Sequence, residues 1–153
     1  MKRLYLFTLE IAPLDVGSMY DELPSHLTLM SRFISNLSPE SLADTMRPLF
    51  AGTAPVLLKF GKTVELGPKR VIAHMVDSPD ELQLHQALRT LLDTTDVMYE
   101  YPEFIGNNHR PHVNERRNVT YKPGDEHLVA AAYLIEIVDK RRLIRAKFTL
   151  SGI

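Results

Sequence analysis

The chain has 153 residues, a net charge of −1, and 44% hydrophobic against 24% charged residues, the balance of one soluble globular domain rather than of a disordered or membrane-embedded chain. It contains no cysteine, which excludes disulfides, thiolate nucleophiles and cysteine-held zinc or iron–sulfur centres. A net charge so near zero gives no footprint for long duplex nucleic acid, so a nucleotide or an RNA end is the better-matched partner.

Met1-Lys2-Arg3 and the apolar stretch after it have the outline of a signal peptide. Thr8 and Glu10 interrupt that stretch and no small-residue cleavage site follows, so the segment reads as a strand and the protein as cytoplasmic. No run approaches the roughly 18 apolar residues of a membrane span. From Tyr5 to Ile11 apolar residues alternate with Thr8 and Glu10, the period of a half-buried strand. A loop from Pro13 to Pro24 leads to a second alternating segment, Ser25 to Met30. Ser38-Pro39 opens a helix, serine as the cap and proline in the first turn, with Leu42, Met46, Leu49 and Phe50 on one face. Val56 to Leu66 and Val71 to Val76 are β-like and are parted by the turn signal Gly67-Pro68. Ser78-Pro79 opens a second helix. Glu81, three residues after that cap, predicts a capping box, and Leu84, Leu88, Leu91 and Leu92 form its apolar face. A polar linking segment carries His112, and Val129 to Val138 with Leu143 to Leu150 read as a terminal hairpin around Asp139 to Arg142. Strands adjacent in sequence favour antiparallel pairing, so the expected class is α+β, one domain over residues 1–153.

On an extended segment alternate side chains share a face, so His26 and Thr28 point together while Leu27 and Leu29 point into the core. His112 and Asn114 repeat the arrangement around an inward Val113. Each unit sets an imidazole, which exchanges protons near neutral pH, beside a group that donates a hydrogen bond to a phosphoryl oxygen. The two form a weak two-fold echo, 86 residues apart, with room for a strand–helix–strand half between them. One His-x-Thr pair alone carries almost no weight in a chain with six histidines.

Pro24-Ser25-His26-Leu27-Thr28-Leu29, Gly67-Pro68-Lys69-Arg70-Val71-Ile72, the Ser-Pro helix, Arg110-Pro111-His112-Val113 and Ala146-Lys147-Phe148-Thr149-Leu150 together resemble the two-histidine (2H) phosphoesterases, which include 2′-5′ RNA ligase-like proteins and cyclic phosphodiesterases. The resemblance covers most of the chain. It implies two antiparallel lobes with helices outside and a central cleft. It implies also that His26 and His112 are the catalytic pair, that Thr28 and Asn114 hold phosphate, and that 2′,3′-cyclic phosphates of nucleotides or RNA termini are hydrolysed with no metal and no cofactor. Asn114 departs from the pattern, which has a hydroxyl there. The rival expectation is a nucleotide or RNA-end binding module in which Asn114 marks a lost activity.

Arg116 and Arg117, near the second histidine, are the expected substrate contacts, whereas Lys140, Arg141, Arg142, Arg145 and Lys147 are either a track for an RNA backbone or, at least as well, a solvated hairpin that discourages edge pairing. His109 lies three residues from His112, but Pro111 argues against the helix that would bring both to one metal. His74 reads as a hydrogen-bonded core residue, His85 as bordering the buried face of its helix, and His127 as a loop residue. Tyr99, Tyr101 and Phe104 are either core residues or a surface for stacking a base.

Overall fold

The computed structural model describes residues 1–116 and 120–153. In chain order the elements are β1 (Arg3–Glu10), β2 (Met19–Tyr20), β3 (His26–Ser35), α1 (Pro39–Ala51), β4 (Val56–Leu66), β5 (Val71–Asp77), α2 (Pro79–Leu92), β6 (Val97–Tyr99), two short 3-10 turns (Pro102–Phe104 and Gly106–Asn108), β7 (His112–Asn114), β8 (Glu126–Val129), β9 (Ala131–Val138) and β10 (Arg141–Thr149). The class is α+β, as the sequence implies. No helix among the described residues is long and apolar enough to cross a membrane.

The strands run in the order β2-β10-β9-β1-β3-β7-β5-β4-β8, with β6 also on β3, and every pairing among the described residues is antiparallel. Two lobes are legible in this path, one ending at β3 and the other starting at β7. The seam between them is thin. Leu27 of β3 pairs with Val113 of β7, and the same edge of β3 then passes to β6, with Phe33, Ile34 and Ser35 opposite Tyr99, Met98 and Val97. Between these two attachments β3 has no strand partner on that side among the described residues, and the lobes open away from it.

The main core lies under the helices. Phe7 stacks on Phe33 at 5.7 Å, Phe50 of α1 stacks on Phe148 of β10 at 4.7 Å, and Phe7 touches both Phe50 and Phe148. Leu42, Ala43, Met46 and Phe50 are the buried face of α1, which is the spacing that an amphipathic helix needs to cover a sheet. A smaller cluster of Leu6, Leu14, Leu23, Tyr133, Ile135 and Ile144 lies on the opposite face of the first lobe, where the loop after β1 folds over the sheet.

Two expectations are corrected. The apolar stretch from Val129 to Val138 is not one strand: it breaks at Ala130, so that β8 pairs with β4 in one lobe and β9 with β1 and β10 in the other. The capping box on α2 is half formed. Ser78 Oγ accepts from the Glu81 N–H at 3.1 Å, but the Glu81 carboxylate turns away from the cap to His109.

Candidate active site

The site is built on the seam. Leu27 and Val113 are both fully buried, 0% exposed, so the residues flanking each of them point to the other face of the sheet. The antiparallel register that pairs Leu27 with Val113 sets His26 across from Asn114 and Thr28 across from His112. Two imidazoles, a hydroxyl and an amide thereby occupy the corners of one patch of sheet.

Both imidazoles are oriented in the same way. His26 Nδ1 lies 2.8 Å from the Pro24 carbonyl and His112 Nδ1 lies 2.9 Å from the Arg110 carbonyl, in each case two residues upstream. A carbonyl can only accept, so each Nδ1 carries the proton and donates it, which leaves each Nε2 outside that hydrogen bond. Burial pushes the pKa of His26 down to about 4, and the charges of Arg116, His112 and Arg142 act in the same direction against its Pro24 hydrogen bond. At neutral pH His26 is therefore an uncharged imidazole with a lone pair on Nε2.

A cleft of about 650 Å³ lies over this patch, lined among others by His26, Thr28, Asn114 and Arg116. His112 is half-buried beside Thr28 and is not part of the lining itself. Arg116 Nε is 3.2 Å from the Leu23 carbonyl and 3.3 Å from the Glu22 carboxylate, which ties the loop before His26 to the chain just after Asn114. Arg117 lies outside the described residues. Asn114 Oδ1 and Ser31 Oγ are buried without a hydrogen-bond partner among the described residues, and both residues line the cleft.

The cleft also gathers residues that the sequence does not single out for it. Arg142 donates to the Asp21 carbonyl at 2.7 Å and lines the cleft, so this member of the basic cluster belongs to the site. Arg145 and Lys147 are instead held by Glu136 and Glu10. Lys69, from the β4–β5 turn, and Arg32, held by Glu100 at 3.1 Å, also face the cleft. Of the three aromatic residues, Tyr101 lines the cleft, Phe104 is 57% exposed nearby, and Tyr99 is half-buried with its hydroxyl on Asp93. Sequence spacing finds neither Lys69 nor Arg32, because only long-range strand pairing brings them to the cleft.

The remaining histidines divide differently from expectation. His109 is buried: its side chain is 8% exposed and its Nε2 is 2.7 Å from the Glu81 carboxylate. It stacks on His85 at 3.8 Å. His85 is fully buried, deeper than a border position, and its pKa is pushed down to about 4, chiefly by burial. Burial also raises the pKa of Glu81, against the hydrogen bond from His109. His74 is buried, but its Nε2 has no hydrogen-bond partner among the described residues and lies 3.8 Å from Glu115. His127 belongs to β8 rather than to a loop. Among the described residues no group of three or more His, Asp or Glu is arranged to hold a metal ion.

The fold is shared with several solved structures, one of them described as a phosphoesterase. In particular, the chain superposes on a structure described simply as a phosphoesterase with a TM-score of 0.62 at 17% identity, covering 99% of this chain and 100% of the other. It superposes on the protein TT0787 of Thermus thermophilus with a TM-score of 0.59 at 18% identity over 97% and 98% of the two chains. It matches E. coli LigT bound to 3′-AMP with a TM-score of 0.59 at 15% identity over 99% and 100%. LigT also has structures with NADP+, ATP and phosphate. The resemblance to the two-histidine phosphoesterases therefore holds at the level of fold. No family model matches the chain, and no curated protein matches it in sequence.

Proposed function

We propose that the protein is a cytoplasmic two-histidine phosphoesterase that hydrolyses 2′,3′-cyclic phosphates of nucleotides or RNA termini without a metal. The observation that carries this reading is the matched orientation of the two imidazoles on adjacent strands, each with Nδ1–H given to a carbonyl two residues upstream. Such a pair can take a proton at one Nε2 and deliver one at the other, on either side of a phosphorus atom. The nucleotides seen on LigT, which shares the fold, support a nucleotide as the substrate here.

His26 is the base in this scheme, because burial keeps it neutral. Its Nε2 removes a proton from water as the water oxygen bonds to phosphorus. The bond from phosphorus to one ribose oxygen breaks, and His112 gives that oxygen its Nε2 proton, leaving a phosphomonoester. Thr28 Oγ1–H and the Asn114 side-chain N–H donate to the phosphoryl oxygens as charge builds, each such donor being worth roughly 3 kcal/mol of barrier.

Asn114 favours a second reading, a binding module for nucleoside phosphates, because an amide donates from further out than a hydroxyl. Turnover of the four nucleoside 2′,3′-cyclic phosphates in EDTA, beside calorimetric binding of a nucleoside 2′-phosphate, separates the two. Turnover that is lost in both His26→Ala and His112→Ala supports the enzyme. Binding with no turnover supports the module.

A further inference from the structure

The seam that carries both histidines is held by little of its own. β7 is three residues long, and it meets β3 at the Leu27–Val113 pair. The segment that delivers His112 to this seam, residues 100–111, is built on two 3-10 turns. A catalytic pair spread across such a seam needs an anchor, because a misplacement near 1 Å can cost about a hundredfold in rate.

The anchor lies beneath the seam. Glu81 and His85 sit four residues apart on the buried face of α2, and both are 0% exposed. His85 Nε2 accepts the Gly106 N–H at 3.0 Å, so the ring is the Nδ1–H tautomer, and Nδ1 donates to the Leu29 carbonyl of β3 at 2.7 Å. One imidazole thus joins the strand of His26 and Thr28 to the segment before His112. His109 lies flat on that imidazole, with ring centroids 3.8 Å apart and planes within 4°, and gives its Nε2 side to Glu81 at 2.7 Å. The residue after His109 is Arg110, whose carbonyl orients the His112 ring. Gly106 has φ +76°, a left-handed conformation that favours glycine, and a Cβ there would meet Arg89 Nη1 at 2.3 Å. The other oxygen of the buried Glu81 carboxylate, Oε1, has no hydrogen-bond partner among the described residues. Leaving an acceptor unpaired, and giving up its place in the helix cap, are costs that a purely stabilising glutamate would not carry.

We propose that Glu81, His109 and His85 form a buried positioning network that sets the His112 imidazole against the strand of His26. The network touches no substrate and acts through the Arg110 carbonyl on one side and the Leu29 carbonyl on the other. Its role in turnover rests on the phosphoesterase reading, whereas its hold on the His112 ring does not.

The test uses the full-length protein and two readouts, the ¹⁵N imidazole signals of His112 and the kinetics on a nucleoside 2′,3′-cyclic phosphate. In folded His109→Ala the His112 Nδ1 signal should shift as its hydrogen bond to the Arg110 carbonyl loosens, and kcat should fall at least about tenfold with KM within about twofold. Glu81→Gln keeps an acceptor for His109 and should stay near the parent in both readouts. If His109→Ala does not fold, Glu81→Leu, which keeps His109 but removes its acceptor, carries the same expectation. Unchanged His112 signals in the folded variant would overturn the proposal, whatever happens to turnover. A parent that turns over no cyclic phosphate, with His112 signals that still respond to His109→Ala, would overturn the phosphoesterase reading and leave the positioning network supported.

Discussion

Lowering the pH from 7 to 5 should destabilise the fold through His85, and replacing His85 by Gln should remove that part of the loss. His85 has a pKa of about 4 in the folded protein against 6.5 for an unperturbed histidine. The unfolded chain therefore takes up the proton first, so the stabilisation is complete above pH 6.5 and is lost as the pH falls from 6.5 toward 4. For a single group with these two values the loss between pH 7 and pH 5 is about 2 kcal/mol. Because His85 is fully buried, this needs little discount for solvent screening. With a urea dependence of about 2 kcal/mol per molar, the midpoint should move by about 1 M more in the parent than in His85→Gln. The variant also disturbs the acceptor of the Gly106 N–H, so it should be less stable at both pH values, and only the difference in pH dependence carries the argument. His26 and Glu81 titrate in both proteins and cancel in that difference to first order. Urea unfolding followed by circular dichroism at the two pH values is sufficient. Equal losses in parent and variant, within a few tenths of a kcal/mol, would refute the assignment of His85 as a buried neutral donor–acceptor.

His26→Ala and His112→Ala should each lower kcat by at least about a hundredfold while the circular dichroism spectrum is kept, and activity near the parent value in either variant would remove that residue from the chemistry. Asn114→Ala should lose about the value of one transition-state hydrogen bond while Asn114→Thr retains or raises kcat; steady-state kinetics in which both variants match the parent would exclude Asn114 from the site. Arg142→Gln and Lys69→Ala, which alter the cationic lining of the cleft, should raise KM for a cyclic nucleotide about three- to tenfold with kcat near the parent value. An unchanged KM in both would mean that these charges do not face the substrate.

The parts of the fold that follow local rules are legible in the sequence. Alternation in β3 and the Ser-Pro caps of α1 and α2 depend on neighbours within a few residues, and the structure has them. β1 is a strand as read but is buried on both faces rather than half-buried, with Thr8 0% exposed, because the main core covers one face and the smaller cluster the other. The break at Ala130 is not legible, because Leu128 to Ile135 is an unbroken run of apolar residues with no glycine, proline or charge to punctuate it. β2 and β6, at two and three residues, are too short to show a period. In the site, period 2 groups His26 with Thr28 and His112 with Asn114, and the strand register keeps those groupings. The same local rules give Glu81 to the cap of α2. A histidine 28 residues away competes for that carboxylate, and a burial-matched partner at that separation leaves no sequence pattern. Lys69 and Arg32 escape a sequence reading as cleft residues for the same reason, since the β4–β5 turn and β3 meet over the cleft only through the sheet order.

The central claim is that two imidazoles, one held neutral, carry out the hydrolysis. It is tested most directly by the pH dependence of kcat/KM for a nucleoside 2′,3′-cyclic phosphate in EDTA, followed by ³¹P NMR. The account predicts turnover in the chelator with an acid limb near pH 4, set by His26, because protonating the base at lower pH stops the reaction. No turnover from about pH 4 to about pH 9, or activity that emerges only when a divalent metal is supplied, would contradict it.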